Sequence, residues 1–391
     1  MQTNKRTVLI GVVSLALLAS LNCKGTPQSS DKQNPTNAAQ KPARWIAQYR
    51  SPASIKMQGV NLGFFYYSSV SVVSPTVVFV AGDVPGPKGD EDRSSVIIRT
   101  TDGGQSWKEK TVEQPGMIIP RLNCINFVSA ELGWAVGVDL AQNGVLLKTT
   151  DGGENWAVSR ISASQVPMTI FFADAETGWI GGATPVAGED EGAGGPSVIL
   201  GTKDGGRSWQ TQLNTPVSIY DISFVDKMNG WACGTKAAIY HTEDGGQTWN
   251  SQRSELEPGD GPINLTGEGM KQFTLLGIHF VDAEHGFAAA SAEEEDAGRV
   301  LGTSNGGLAW HRQWIVADSG VRDVFFINAE EGWAVTDRGQ YIYHTVDGGR
   351  SWLSEPKVFE QDVTMVRLGA ADAQHVWAVG GGAVFFRVTD Q

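Results

Sequence analysis

The chain has 391 residues, of which 41% are hydrophobic, with 48 Gly, 13 Trp and a formal net charge of −13. This composition excludes a disordered chain and a collagen-like chain, and it is typical of a globular protein rich in turns. The acidic balance argues against nucleic-acid binding, because phosphate backbones attract basic surfaces.

The first 22 residues have the pattern of an export signal. Lys5 and Arg6 give a positive start, and residues 8–21 are almost entirely apolar. That run is shorter than the roughly 20 apolar residues of a spanning helix, which favours a signal peptide. The segment 20–23, Ser-Leu-Asn-Cys, resembles a bacterial lipoprotein cleavage site. We therefore predict lipidation at Cys23, with simple secretion as the alternative.

Residues 23–42 are polar and contain proline, which predicts a flexible tether. A tether between a lipid and a folded domain suits a protein that touches the membrane only through its anchor. The expected location is the periplasm or the outer cell envelope. The folded domain is predicted to span residues 43–391.

An eight-residue motif, Thr-x-Asp-Gly-Gly-x-Ser/Thr-Trp, recurs six times along that domain. Each copy lies between two short extended segments, and its glycines supply the positive φ of a tight hairpin turn. The shared acidic or amide residue and the shared tryptophan are Asp102, Asp151, Asp204, Asp244, Asn305 and Asp347, with Trp107, Trp156, Trp209, Trp249, Trp310 and Trp352. Sixfold recurrence around a fold predicts a structural role, because a binding site needs convergent groups.

A second signature, an aromatic residue usually preceded by glycine, lies upstream of each turn. It occurs seven times, at Phe79, Trp134, Trp179, Trp231, Phe287, Trp333 and Trp377. The chain ends where a seventh turn should begin, and Trp45 near the other end matches the missing hairpin tryptophan. A period near 40 residues suits a four-stranded propeller blade. The sequence therefore predicts an all-β, seven-bladed β-propeller whose last blade is closed by the N-terminal strand.

Four segments lengthen the intervals between repeats, and all four are predicted to emerge on one face of the propeller. With strands named A to D from the channel outward, segments 83–95, 184–196 and 292–298 join B to C, and segment 254–271 joins D to the next A. All four lie opposite the C–D turns and together carry a formal charge of −12. Their densest acidic residues are Glu189, Asp190, Glu191, Glu293, Glu294, Glu295 and Asp296. Three interpretations stand: solvated loops, a rim for a basic partner segment, or a calcium site.

No catalytic or cofactor site is predicted. The six histidines are scattered, and no Cys or His spacing matches a metal site. Asp221 and Asp323 occupy equivalent inner-strand positions, and a glycoside hydrolase needs two carboxylates roughly 5–10 Å apart. Repeat structure explains that equivalence better than catalysis does.

The turns resemble the Asp-box, or bacterial neuraminidase repeat, of sialidases, xyloglucan hydrolases and sortilin-type receptors. Together with the Gly-Trp-Ala-Val-Gly strands and the inner strand 121–127, they are similar to the photosystem II stability/assembly factor family. That resemblance implies an exported, non-catalytic propeller that assists the assembly of a membrane complex and binds a protein through an arginine-rich patch. Arg121, Arg322 and Arg367 lie on or at the start of inner strands and are the candidate partner-binding residues.

Three functions follow as hypotheses. The first is a monomeric, exported binding and assembly scaffold for a membrane or envelope protein complex. The second is a propeller that recognises carbohydrate or peptide without catalysis. The third is a glycoside hydrolase of sialidase-like type, although the Arg-Ile-Pro motif of sialidases is absent.

Overall fold

The structure is a computed structural model that describes part of the chain. The described residues are 43–50, 66–86, 89–112, 114–161, 165–184, 195–252, 273–292, 298–316, 319–337, 341–358 and 365–389. They are nearly all strand, with a single 3₁₀ turn at Thr235–Ala237. Within these ranges no helix has the length and hydrophobicity needed to cross a membrane. The predicted signal, the tether and Cys23 lie outside them.

The strands form seven blades, each antiparallel and ordered from inner strand A to outer strand D. Blades one and two comprise β2 (Tyr66–Val72), β3 (Val78–Gly86), β4 (Gly89–Thr100), β5 (Lys108–Thr111), β6 (Arg121–Phe127), β7 (Gly133–Val138), β8 (Gly144–Thr149) and β9 (Ala157–Arg160). Blades three and four comprise β10 (Val166–Phe172), β11 (Gly178–Ala183), β12 (Ser197–Thr202), β13 (Gln210–Thr215), β14 (Ile219–Phe224), β15 (Gly230–Gly234), β16 (Ile239–Thr242) and β17 (Asn250–Ser251).

The remaining three blades include both ends of the domain. Blades five and six comprise β18 (Phe273–Phe280), β19 (Gly286–Ala292), β20 (Gly298–Thr303), β21 (His311–Val316), β22 (Val321–Phe326), β23 (Gly332–Thr336), β24 (Tyr341–Thr345) and β25 (Leu353–Val358). Blade seven comprises β26 (Arg367–Asp372), β27 (His375–Gly380), β28 (Ala383–Thr389) and the N-terminal strand β1 (Ala43–Arg50). Inner strands of consecutive blades contact one another around the ring, and β26 contacts β2.

The N-terminal strand closes the ring, as predicted. β1 pairs antiparallel with β28, which sets Trp45 opposite Arg387 and Ile46 opposite Phe386. The same strand pairs in parallel with β25 of blade six, so blades six and seven merge into one eight-stranded sheet. The prediction of seven blades with this closure is confirmed.

An aromatic stack joins five pairs of consecutive blades. The strand-B aromatic of one blade lies parallel to the strand-A phenylalanine of the next, with ring centroids 3.4 to 3.6 Å apart. The pairs are Phe79–Phe127, Trp134–Phe172, Trp179–Phe224, Trp231–Phe280 and Phe287–Phe326. The Asp-box tryptophan of the second blade meets the edge of the same phenylalanine, as Trp249 meets Phe224 at 5.9 Å. These buried rings supply much of the apolar area between blades.

In blades two to six, the glycine before the strand-B aromatic makes room for this stack. Gly230 pairs with Phe224, and a Cβ on Gly230 would lie 2.2 Å from the phenylalanine ring. Blades one and seven carry valine at that glycine position, Val78 and Val376. Their strand-A partners are Val72 and Ala370 rather than phenylalanine. The two junctions that flank blade seven therefore lack the aromatic stack.

Candidate functional site

Each Asp-Gly-Gly turn is held by one repeated hydrogen-bond network. In blade four, the Thr242 hydroxyl donates to Asp244 Oδ1 at 2.8 Å and accepts the Gly246 N–H at 2.8 Å. Thr248 donates its N–H and its hydroxyl to the same carboxylate, at 2.8 and 2.6 Å. In blade five, Asn305 keeps the contact to Thr303 and to the Ala309 N–H.

The carboxylates of these turns are stabilised as anions. Hydrogen bonds from the Ser106 hydroxyl and N–H lower the pKa of Asp102 to about 2. Equivalent bonds lower the pKa of Asp151 and of Asp244 to about 2. The side chain thus faces its own turn, which suits the structural role predicted from the repeat.

Five of the six turns also receive side-chain donors from the preceding blade. The Gly205 carbonyl accepts the Trp134 indole N–H at 3.2 Å and the Lys148 ammonium at 2.9 Å. The Gly245 carbonyl accepts the Trp179 indole and the Gln212 amide, both at 3.3 Å. Side chains on strands B, C and D of one blade therefore donate hydrogen bonds to the Asp-Gly-Gly turn of the next blade.

At blade seven that arrangement is replaced by an ion pair. The strand register puts Arg387 where the other blades have the turn threonine, and Glu355 where blade three has Gln212. Arg387 donates from Nε and Nη2 to the Glu355 carboxylate, at 2.9 and 2.6 Å. The Trp45 indole donates to the same carboxylate at 2.9 Å. Arg387 and Glu355 are 7% and 6% exposed, so this is a buried pair.

His344 completes the cluster from strand C of blade six. Its Nδ1 lies 3.2 Å from Glu355 and its Nε2 lies 3.1 Å from Glu331. Burial acts to lower the pKa of His344, but hydrogen bonds to Glu331 and Glu355 outweigh it and raise that pKa. Burial likewise acts to raise the pKa of Glu355, and bonds from His344 and Arg387 outweigh it and lower that pKa.

Each blade has one strand-A residue at an equivalent position of the central channel. It is the residue that pairs with the strand-B residue two positions after the strand-B aromatic. These residues are Ser69, Cys124, Thr169, Asp221, Gly277, Asp323 and Arg367. Three of them are charged, and they come from blades four, six and seven. The sequence identified Asp221, Asp323 and Arg367 separately, and the fold brings them together.

Arg367 crosses the channel to reach both aspartates. Its Nη1 lies 3.2 Å from Asp323 Oδ1, 3.4 Å from Asp221 Oδ2 and 3.3 Å from the Leu276 carbonyl of blade five. Blade five contributes Gly277 at this level, and a Cβ there would lie 2.5 Å from Asp323 Oδ1. The glycine therefore leaves the space through which the guanidinium connects blade seven with blade four.

Both channel carboxylates, of Asp221 and Asp323, also accept a backbone N–H in addition to the Arg367 contact. Asp323 Oδ2 accepts the Leu368 N–H at 2.8 Å, and Asp221 Oδ2 accepts the Ile278 N–H at 3.1 Å. Burial raises the pKa of Asp323 to about 6, with a smaller push from Asp221 and opposition from Arg367. Burial acts to lower the pKa of Arg367, but the two carboxylates outweigh it and raise that pKa. A guanidinium fills the space that a sugar would need between the acids.

The other candidate residues are placed as follows. Arg322 lies on the inner strand β22 of blade six, next to Asp323 in the chain, and forms an ion pair with Asp337. Arg121 is half-buried at the start of β6, in blade two. The acidic residues Glu189, Asp190, Glu191, Glu293, Glu294, Glu295 and Asp296 lie outside the described residues. Among the residues that are described, no group of three or more His, Cys, Asp or Glu side chains is placed to hold a metal ion.

Two exposed apolar side chains lie at the same end of blade two as Arg121. Arg121 pairs with Val138, and the exposed residues are Ile118, three positions earlier, and Leu140, two positions later. Ile118 is 59% exposed and Leu140 is 61% exposed. Sequence reasoning missed both, because single apolar residues in loops carry no pattern.

A groove of about 500 Å³ lies on the outer side of blades one and two. It is lined by Glu109, Lys110, Thr111, Val112, Glu154, Asn155 and Trp156. Glu109 is hydrogen-bonded to Tyr49 at 2.7 Å, and Glu154 is paired with Arg99. Both acidic residues of the lining therefore already have a partner, and Lys110 is its one basic residue.

Comparison with known proteins agrees with the resemblance seen in the repeats. The model of the photosynthesis system II assembly factor YCF48 family matches residues 92–176 and 208–265. A solved structure of YCF48 bound to a D1 peptide is 16% identical, with 90% of this chain and 98% of that chain covered and a TM-score of 0.60. No curated protein matches this chain.

Two further structures show how widely this fold is shared. YCF48 from Cyanidioschyzon merolae is 16% identical, with 83% of this chain and 96% of that chain covered and a TM-score of 0.54. A GH74 xyloglucanase from Xanthomonas campestris is 10% identical, with 80% of this chain and 50% of that chain covered and a TM-score of 0.54. At these identities the structures establish the propeller fold, and the predicted resemblance to the assembly factors rests on the family match.

Proposed function

We propose that this chain, which resembles the photosystem II assembly factors in its repeats and fold, is an exported, non-enzymatic scaffold. It binds a segment of another protein and assists the assembly of a membrane or envelope complex. A structure of similar fold and of the matching family holds a peptide. That a peptide binds one such propeller supports a protein as the partner here.

The observation that carries the non-enzymatic assignment is the position of Arg367. Its guanidinium lies between Asp221 and Asp323, the two acids that a channel-based hydrolase would use. A carboxylate held in an ion pair and by a backbone N–H is poorly placed to transfer a proton to substrate. Turnover of chromogenic glycosides that disappears in Asp323→Asn would overturn this assignment.

The binding surface is the face opposite the Asp-Gly-Gly turns. Ile118 and Leu140 supply exposed apolar area beside Arg121, and exposed apolar groups near an arginine are typical of interface centres. The acidic insertions are expected on the same face and would favour approach of a basic segment. Arg121 and Arg322 lie on inner strands that begin at this face.

Affinity purification from native membranes tests the surface. Wild type, Ile118→Asp/Leu140→Asp and the control Leu308→Asp are compared after crosslinking. Leu308 is 72% exposed in the blade-five turn, on the opposite face, so it tests charge insertion without touching the surface. The double variant should lose the partner while the control keeps it. Equal recovery from all three would refute the surface, and recovery of no protein from wild type would refute the scaffold function.

The lipid anchor has a separate test. Cys23→Ser removes the only thiol of the N-terminal segment, so the protein should move from the membrane fraction to the soluble periplasmic or secreted fraction. Persistence of the variant in membranes would rule out lipidation at Cys23. The scaffold proposal would then need another route to the membrane.

A further inference from the structure

Blade seven differs from its neighbours at both of its boundaries. Trp333 of blade six faces a blade with Ala370 in place of the stacking phenylalanine, and Trp377 faces a blade with Val72. The stacked pairs elsewhere, such as Trp231–Phe280 at 3.6 Å, bury two large rings per junction. Loss of one ring at each boundary removes apolar contact that holds blades together.

Polar contacts replace the lost rings. On the outer side, Arg387 and Glu355 form the buried pair that joins blade seven to blade six. On the inner side, Arg367 bonds to Asp323 of blade six and reaches Asp221 of blade four. Hydrogen bonds and ion pairs give less net free energy than buried rings, because water competes for the same groups when the contact opens.

Blade seven is also the blade that no hairpin holds together at its outer edge. Its strand D comes from residues 43–50 and its strands A to C from residues 367–389. Opening it therefore does not stretch a C–D connection, whereas every other blade has one. Buried apolar side chains still pack across both boundaries, with Trp333 and Val376 in one cluster and Val78 and Trp377 in another. Each boundary nevertheless lacks one large stacked ring, and a region opens locally at lower free energy where apolar contacts are fewer.

We infer that blade seven opens and closes as a unit, which breaks the short parallel pairing of β1 with β25 at Trp45 and Ile46, and that Arg367 is the latch that holds it closed. The latch lies in the channel, so the same movement withdraws the guanidinium from between blades four, five and six. Closure blocks the channel at this level, and opening clears it. The device couples access to the channel with the position of the N-terminal strand.

Hydrogen–deuterium exchange of the wild-type, full-length protein gives the first test. Amides of β26, β27, β28 and β1 should exchange together, at least about tenfold faster than amides of β7, β11 and β15. Under conditions where closing is faster than exchange, the amides of blade seven should share one protection factor, because a single opening equilibrium exposes them all. Uniform protection across all seven blades would overturn the inference without any variant being made.

Two variants test the latch and its packing. Arg367→Met should raise exchange in blade seven by about tenfold or more. Arg160→Met breaks a pair between the exposed Arg160 and the buried Asp139 in blade two, and should leave blade seven unchanged. Val72→Phe/Val78→Gly rebuilds the aromatic stack against Trp377 and should slow exchange in blade seven. If Arg367→Met fails to fold, exchange in the Val72→Phe/Val78→Gly variant still tests whether blade seven opens. No slowing there, or equal effects of both methionine variants, would refute the latch.

Discussion

The Arg387 guanidinium and the Glu355 carboxylate meet at 2.6 Å, at two positions where blades three, four and five have a threonine and a glutamine. In blades three and four the corresponding glutamine donates to a glycine carbonyl of the next turn. Blade seven has no such turn, because its strands C and D, β28 and β1, are not consecutive in the chain. At this junction Glu355 of blade six is the acceptor and Arg387 of blade seven is the donor, the reverse of the other junctions. The Trp333 indole N–H, whose equivalents in blades two to four donate to the next turn, has no hydrogen-bond partner among the described residues.

Removing one partner of this pair should destabilise the fold strongly. Arg387→Met leaves the Glu355 charge buried, and a loss of about 3–5 kcal/mol in the free energy of unfolding is expected. The double variant Glu355→Gln/Arg387→Thr, which copies the residues of the other blades, should cost less than the sum of its singles. Urea unfolding of all four proteins measures the coupling. Additive losses would show that the two side chains do not depend on each other.

The glycine and phenylalanine of the aromatic stack should behave as one unit. Gly230→Val places methyl groups into the Phe224 ring and should cost about 1–3 kcal/mol or more by overpacking. Phe224→Ala alone should cost about 3–5 kcal/mol by leaving a cavity. The double variant reproduces the Val376–Ala370 pair of blade seven and should recover part of the loss. Denaturant midpoints of the singles and the double give the test, and absence of recovery would contradict it.

The hydroxyl of the turn threonine should matter more than its shape. Thr242→Val keeps the volume but leaves the buried Gly246 N–H without its acceptor, which should cost about 1–3 kcal/mol. Thr242→Ser retains the hydroxyl and serves as the control. Thermal melting of both variants should show the valine protein unfolding at the lower temperature. The reverse order would mean that the methyl group, not the hydrogen bond, holds the turn.

Stability should rise as pH falls from neutral towards 5. The pKa of Asp323 is raised to about 6 in the fold, so the folded state binds its proton at a higher pH than the unfolded chain does. That contribution is fully present below the ordinary aspartate range and is lost as pH rises through about 6. The raised pKa of His344 acts in the same direction at somewhat higher pH.

A pH series of urea midpoints checks this dependence. Asp323→Asn should flatten the slope between about pH 4 and 6, and His344→Gln should flatten it above that range. Below about pH 4 the lowered pKa of Glu355 reverses the trend, because protonation then removes a favourable contact. A wild-type midpoint that falls steadily from pH 7 to 5 would contradict the assignment of Asp323.

Much of the fold could be predicted from the sequence because its signals are local and repeated. Two glycines with positive φ, a capping threonine and a tryptophan specify a turn without help from distant residues, and six copies reveal the period. The unmatched Trp45 then indicates which strand closes the ring. Val78 and Val376 stand where five other blades carry glycine, but the sequence alone did not predict what this difference does. Their meaning depends on the opposite residue, which the strand register supplies.

The contacts of Arg367 and of Arg387 could not be predicted in the same way. Arg367 is separated from Asp221 by 146 positions, and its path depends on Gly277 leaving space in a third blade. Charge alone suggested that Arg367 was free for a partner, whereas the curvature of the ring brings it onto two carboxylates. The sequence by itself determined the turn, the period and the closing strand, because each depends on neighbours in the chain. Only the tertiary structure decided which charged groups meet across the channel, because closure of the ring sets those distances.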